Sequence, residues 1–162
     1  MPKRHGLTLI ELLISMALLV FLCFLCVPWG AMLYQRNQLQ VREKEIITAL
    51  YYARNTALLR GVRLALTPLP DSNDWSQGMI LFVDNKNHQF HTGCELLHQW
   101  HWPQSSITLG WHGFHSKDYL LFSSELKRMV TSGHFLLQNP QSGPIKLVVN
   151  RFGRVLRQQI YN

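Results

Sequence analysis

The stretch Gly6-Leu7-Thr8-Leu9-Ile10-Glu11 begins an apolar run over 7–27, in which only Thr8, Glu11 and Ser15 are polar. As a helix, a run of about 21 residues is about 31 Å long, which is enough to cross the hydrocarbon core of a bilayer. Glu11 is out of place in a plain apolar anchor, because an unpaired charge at that depth costs at least about 2.5 kcal/mol. We therefore expect Glu11 to be a functional residue with a partner.

Three kinds of N-terminal segment contain an apolar run, and they differ in its length and in the residues beside it. A secretory signal peptide has a shorter apolar core followed by a small-residue cleavage site, whereas here Gly6 precedes the apolar run. An unprocessed single-pass anchor explains the length but gives Glu11 no role. The third kind explains both features: the segment resembles the N-terminus of type IV pilins and pseudopilins, in which a short basic leader ends in Gly and a Glu stands at the fifth mature position.

This resemblance implies that residues 1–6 are a leader peptide and that prepilin peptidase cuts between Gly6 and Leu7. It also implies that Leu7 becomes N-methylated, although the usual first residue in the family is Phe. Glu11 is then the fifth mature residue, and its carboxylate pairs with the N-terminal ammonium of a neighbouring subunit, an attraction that a low dielectric constant strengthens. Other pilin or pseudopilin subunits are the implied partners.

Basic residues flank the apolar run on both sides, so the charge pattern does not fix its orientation. The resemblance to pilins implies a single-pass protein of the inner membrane, with a cytoplasmic N-terminus and a periplasmic C-terminal domain, which then enters a pilus or pseudopilus. Pro28 follows the run, and a proline inside a helix removes a backbone hydrogen bond and bends the helix. Many type IV pilins carry a Pro at this place, so we expect Pro28 to assist assembly.

The second half of the helix is amphipathic. Its apolar residues recur at helical spacing, and they are Leu39, Ile46, Leu50, Ala53 and Ala57. This pattern predicts one apolar stripe packed on a domain. Gly61 after Arg60 is typical of a helix C-terminus. We therefore predict one helix over 7–60, with 7–27 as its transmembrane and assembly segment.

The remaining residues, 61–162, predict a β-rich periplasmic domain. Short apolar segments lie between turn signals, which is typical of antiparallel sheets. The candidate strands are 62–67, 79–83, 106–109, 119–123, 134–138, 145–150 and 155–160, with the last turns at 141–144 and 152–153. The predicted fold class is α+β, with a long N-terminal helix packed on a C-terminal antiparallel β-rich globular domain.

Motifs further along the chain narrow the resemblance to the GspH/FimT group of minor pilins and pseudopilins. They are ARNTA at 53–57, RG at 60–61, WSQGMILFVD at 75–84 and IKLVVNRFGR at 145–154. The similarity covers almost the full chain and is weakest at 87–117.

The chain has a formal net charge of +7, and no Asp or Glu occurs after Glu125. A purely basic last quarter favours an anionic partner. In DNA-uptake members of the GspH/FimT group, a Gly-Arg-x-Arg motif near the C-terminus carries DNA binding. This chain has Gly153-Arg154-Val155-Leu156-Arg157, with the second Arg one place later. Charge and resemblance together predict a minor pilin that binds DNA for natural transformation through Arg151, Arg154, Arg157, Lys146, Lys127 and Arg128.

The displaced second Arg keeps an alternative open. In a strand, Arg154 and Arg157 point to opposite faces, and Arg151, across the turn, is expected to replace the missing neighbour. The alternative is an H-type minor pseudopilin of a type II secretion system, a structural or tip component without nucleic-acid binding. A third interpretation is a purely structural minor pilin that primes assembly.

No sequence motif of an enzyme occurs, and we expect no cofactor. Six histidines between His88 and His115 form three pairs at a spacing of three. Because such residues point to opposite faces of a strand, we expect these histidines on surface loops, without a metal ion. The tryptophans nearby are expected to anchor the core or loops, with base stacking as the alternative; they are Trp100, Trp102 and Trp111. Cys94 is expected to be buried.

Overall fold

The computed structural model describes residues 8–102, 106–140 and 142–159, apart from the side chains of 25–29, 31–33, 35–36, 126, 142 and 159. The predicted cleavage site between Gly6 and Leu7 lies outside the described residues. So does Ile160, at the predicted end of the last strand.

One helix, α1, runs from Leu9 to Arg60. It ends where the sequence predicts: Gly61 has a φ of +66° and its N–H donates a 3.0 Å hydrogen bond to the carbonyl of Ala57. The helix continues through Pro28, and the predicted bend there stays a prediction. The chain divides into two compact units, one up to Gln38 and one from Leu39 onwards.

Among the residues that the structure describes, no helix combines the length and the apolar character that a membrane crossing requires. The predicted span over 7–27 stays a prediction.

In the second unit, the predicted apolar stripe of α1 is confirmed. All five of its predicted members are buried, from Leu39 to Ala57. Glu43 lies on the same stripe, four residues after Leu39 and three before Ile46, and it is only 7 % exposed. A buried carboxylate needs a compensating partner, which the second unit supplies at the far end of the chain.

The second unit contains two antiparallel four-stranded sheets. The first sheet has the strand order β3-β2-β1-β5 and the second has the order β4-β6-β7-β8. The strands are β1 (Leu64–Pro68), β2 (Gly78–Val83), β3 (Leu96–His101), β4 (Thr108–Gly113), β5 (Leu120–Phe122), β6 (Gly133–Asn139), β7 (Ser142–Val149) and β8 (Val155–Gln159). A single 3-10 turn, Leu126–Arg128, precedes β6. These elements give the predicted α+β class.

Seven of these strands overlap the seven predicted segments, whereas β3 was not predicted. The predicted turn at 141–144 is wrong, because β7 already begins at Ser142 and pairs there with Asn139. Pro144 fits inside the strand because the ladder shifts register nearby, between Leu137 and Asn139.

The main core packs the stripe of α1 against one face of each sheet, with Leu66, Phe122, Phe135 and Leu147 among its buried members. A smaller cluster covers the other face of the first sheet. Cys94 packs against this smaller cluster and is half-buried, not buried as predicted. Among the described residues, no buried cluster covers the other face of the second sheet, and we call this the outer face.

Candidate nucleic-acid interface

The turn between β7 and β8, residues 150–154, is held in shape by Asn150. Its side-chain carbonyl oxygen accepts hydrogen bonds from the backbone N–H groups of Phe152 and Arg154, each at 2.9 Å. The Asn150 N–H donates to the carbonyl of Arg154 at 3.0 Å. Gly153 has a φ of +69°, a conformation that glycine adopts without strain. The backbone that carries the arginines of this β7–β8 turn is thus defined by local chemistry.

The β7–β8 turn is also held in place by Thr131 and by the helix α1. The buried hydroxyl of Thr131 donates to the carbonyls of Asn150, at 3.0 Å, and Arg151, at 3.2 Å. A Cβ atom added to Gly153 would stand 3.4 Å from Cδ of Arg54 and 3.5 Å from Cε1 of Phe122. The helix α1 therefore brings the side chain of Arg54 directly against the turn.

Two arginines of this turn, Arg151 and Arg154, and Arg54 of α1, which packs against it, together form what we call the Arg cluster. Arg151 and Arg154 are exposed, and Arg54 is half-buried. Within the described part of the chain, none of the three forms an ion pair with an Asp or Glu. Arg54 was not among the predicted site residues, because nothing local in the sequence joins it to a turn about 100 residues later.

Arg157 is held away from the Arg cluster. Its Nε lies 3.1 Å from Oε1 of Glu43, the buried carboxylate on the stripe of α1. The register explains this contact: Arg157 pairs with Leu147 and so points to the core side of the second sheet. We therefore assign Arg157 to holding β8 against α1.

The remaining predicted DNA-binding cations lie on the 3-10 turn and on the outer face. Lys127 is exposed on the 3-10 turn. Arg128 is paired there with Glu125, Nε to Oε2 at 3.0 Å. These two residues precede Met129, whose Cε would be 3.7 Å from a Cβ on Gly153. Lys146 lies on the outer face, between Leu136 and Gln158 on the neighbouring strands.

The prediction that the tryptophans are core residues is confirmed for Trp102 and Trp111, each 5 % exposed. Trp100 is half-buried and packs edge-on against Tyr52. An exposed aromatic ring at the Arg cluster is a phenylalanine instead. Phe152, on the β7–β8 turn, is 48 % exposed.

The histidines that are three residues apart in the sequence do not all lie on surface loops. His98 and His101 lie in β3 and His112 in β4, so the expectation that all six occupy loops is wrong. His112 stacks instead on His134 of β6, with ring centroids 5.0 Å apart. Among the described residues, no group of three His, Cys, Asp or Glu side chains is arranged to hold a metal ion.

The first turn of α1 holds the predicted assembly residue Glu11. One of its carboxylate oxygens accepts the backbone N–H of Thr8 at 2.9 Å and the Thr8 hydroxyl at 3.0 Å. The Glu11 N–H donates in return to the Thr8 hydroxyl at 3.4 Å and to the Thr8 carbonyl at 3.1 Å. This reciprocal arrangement is a capping box, which the Thr-x-x-Glu spacing signals in the sequence. Within a single subunit, Thr8 is thus the partner of Glu11.

Comparisons with known proteins bear on both ends of the chain. A family model described as type II transport protein GspH matches residues 44–153. A model of the prokaryotic N-terminal methylation motif matches residues 1–25, which implies processing by prepilin peptidase. No curated protein matches the chain.

Two crystal structures of the type IV minor pilin FimU from Pseudomonas aeruginosa strain PAO1 have a similar fold. One gives a TM-score of 0.58 at 18 % identity and covers 76 % of this chain and 90 % of that chain. The other gives 0.54 at 17 % identity and covers 74 % of this chain and 91 % of that chain. At these identities the likeness concerns the pilin fold.

Proposed function

The chain belongs to the GspH family as a structural, non-enzymatic minor pilin or pseudopilin, and from this premise we propose that it is a type IV pilus subunit that binds DNA for uptake. The family description and the descriptions of the two similar minor pilin structures do not mention DNA. We base the proposal on the Arg cluster at the β7–β8 turn.

The observation that carries the proposal is the pair of exposed arginines, Arg151 and Arg154, on a turn that Asn150 and Gly153 define. A guanidinium binds phosphate oxygens with a planar fork of N–H donors. Such contacts do not read base sequence, so the binding is non-specific. Arg54 adds a third cation at the turn, in place of Arg157, which is paired with Glu43.

The expected affinity follows from the number of phosphate contacts. Each neutralised phosphate contributes a slope of about −0.9 to log K against log salt, so three contacts give about −2.7. Raising the salt from about 50 mM to about 200 mM should then weaken binding about 40-fold. Replacing two of the three arginines should weaken binding about 60-fold at about 0.1 M salt and reduce the slope to about −0.9.

The test is DNA binding by the full chain in a neutral detergent, measured by fluorescence anisotropy with a short duplex at several salt concentrations. We compare the wild type with the double variant Arg151→Gln, Arg154→Gln. The matched control is Lys44→Gln, Lys86→Gln, which removes two exposed cations elsewhere in the second unit. Equal loss of binding in both double variants would mean that DNA binding depends on the net charge of the chain and not on the Arg cluster.

We propose the following course for the N-terminal segment. Prepilin peptidase cuts between Gly6 and Leu7, and Leu7 is N-methylated. The segment 7–27 spans the inner membrane with the N-terminus in the cytoplasm, and the β-rich domain lies in the periplasm. Glu11 and Pro28 then act during incorporation into the pilus among other pilin subunits. The match to the methylation motif supports this course.

The alternative is an H-type minor pseudopilin of a type II secretion system, which the family description itself favours. The ion pair of Arg157 with Glu43 also favours it, because that pair occupies one cation of the Gly-Arg-x-Arg-like motif. A folded chain that fails to bind duplex DNA at about 50 mM salt would contradict the uptake pilin and favour the alternative.

A further inference from the structure

A second group of ionisable side chains lies on the outer face of the second sheet. His112 of β4 and His134 of β6 are directly paired in the register, and their rings stack at 5.0 Å with an interplanar angle of 21°. Nε2 of His112 reaches within 3.5 Å of where a Cβ on Gly110 would stand. The ring thus leans toward the next row of paired residues, Gly110, Leu136 and Lys146.

These groups lie next to the β7–β8 turn. The row that contains both histidines continues through Val148 of β7 to Leu156 of β8. Only one further row, ending in Val149 and Val155, separates it from the turn. Neighbouring strands are about 4.8 Å apart, so the histidines lie within about 15 Å of β8. A duplex carries one charge per about 1.7 Å of its axis, so DNA at the turn has phosphates within reach of the outer face.

On the strands of the outer face, Lys146 lies beside the two histidines. None of the strands β4, β6, β7 and β8 contains an Asp or Glu. The charged or titratable groups that face His134 are His112 from β4 and Lys146 from β7, while β8 presents Leu156 and Gln158. Partial burial, followed by the charges of Lys146 and His112, lowers the pKa of His134.

We infer that His112, His134 and Lys146 form a second contact for DNA phosphates beside the β7–β8 turn, one that strengthens in acid. This inference rests on the proposed function, because the ligand is the same DNA. Because the four strands of this sheet carry no Asp or Glu, a phosphate would supply the negative charge beside Lys146 and accept N–H groups from imidazoles that are protonated in acid. The Arg cluster binds at any pH, and the outer face adds its contacts in acid.

The sign of the pH dependence follows from linkage. In the free protein the lowered pKa of His134 keeps its imidazole neutral around neutral pH. A bound phosphate favours the charged form and so raises the pKa again. Binding is therefore coupled to proton uptake, and affinity rises as the pH falls through the range in which histidine titrates, around pH 6.5.

The experiment measures duplex binding by the full chain in neutral detergent at about pH 7.5 and about pH 5.5, each over a series of salt concentrations. Two added phosphate contacts steepen the salt slope by about 1.8, and they tighten binding by up to about 60-fold at about 0.1 M salt. In the variant His112→Gln, His134→Gln, most of this acid-induced gain should disappear. The control His101→Gln removes an exposed histidine of the first sheet and should keep the gain.

The outcomes separate the inference from the proposed function. A wild type that binds no DNA at either pH overturns both. Binding whose acid-induced gain survives in the double histidine variant overturns the inference and leaves the Arg cluster as the site. Calorimetry of the wild type in two buffers with different enthalpies of ionisation tests the same point without a variant. Binding without net proton uptake in this pH range would contradict the inference.

Discussion

Arg157→Gln should destabilise the second unit without reducing the affinity for DNA. The carboxylate of Glu43 is buried on the stripe of α1, with its side chain 9 % exposed, and Arg157 approaches it at 3.1 Å from the edge strand β8. Removing the guanidinium leaves a buried charge without its partner. The change therefore tests whether Arg157 serves the fold, as its geometry indicates, or the DNA contact.

The magnitude follows from the burial of the two partners. Breaking a fully buried ion pair from one side costs about 3–5 kcal/mol. The side chain of Arg157 is 46 % exposed, so water already reaches the pair. We scale the cost to about 2 kcal/mol on that account. For a unit of about 120 residues this lowers the melting temperature by about 8 °C.

The assay is reversible unfolding of the full chain, followed by circular dichroism in urea and on heating, with two companion variants. Glu43→Leu restores the apolar stripe and frees Arg157 to extend into water, so its cost should be within about 0.5 kcal/mol. The double variant Glu43→Leu, Arg157→Gln should recover most of the stability lost in Arg157→Gln. If the double variant is as unstable as Arg157→Gln alone, the unpaired carboxylate is not the cause. A loss of DNA affinity in folded Arg157→Gln would return this residue to the DNA site.

Four further changes test other features. Asn150→Ala removes the two acceptor contacts that hold the β7–β8 turn, so DNA affinity should fall about threefold with an unchanged salt slope; an altered slope in anisotropy would mean that a phosphate contact was lost instead. Gly153→Ala places a Cβ at a positive φ and should cost about 1–2 kcal/mol in urea unfolding, and a neutral result would argue against that turn geometry. Lys146→Gln should raise the pKa of His134, followed by NMR titration of the imidazole, because a neighbouring cation is removed; a fall would contradict the placement of Lys146. Glu11→Val should leave the unfolding of the second unit unchanged and impair assembly, and normal incorporation into filaments would refute a role for this carboxylate.

Much of the fold is encoded in local patterns. The stripe of α1 was predictable because five small or aliphatic residues recur at helical spacing, and the end of α1 because Gly61 accepts a positive φ. Strand β3 was not predictable in the same way. Its sequence, Leu96–His101, alternates poorly and lacks β-branched residues, and as an edge strand it is exposed at four of its six positions.

The candidate site was predictable only where it is local. The presence of Arg151 and Arg154 on one turn follows from the turn signals Asn150 and Gly153. Arg54 joins them through the packing of α1 beneath the turn, and a contact across about 100 residues leaves no trace in spacing. His112 and His134 likewise meet through the register of β4 with β6.

The position of Glu43 in the sequence indicates that its carboxylate is buried. It stands at the correct spacing for the apolar stripe, which indicates a buried carboxylate and so a cation elsewhere in the chain. Which cation that is depends on the strand order, which places β8 at the edge of the second sheet, and periodicity along the sequence does not encode that order.

For the subunit pairing predicted at Glu11, the capping box at the start of α1 makes association an exchange of hydrogen-bond partners. The carboxylate of Glu11 already holds the N–H and hydroxyl of Thr8, so an incoming ammonium displaces contacts worth about 1 kcal/mol before it adds its own. Only the difference between the two partnerships drives the step. A lone subunit therefore keeps the hydrogen bonds of its Glu11 carboxylate satisfied by Thr8.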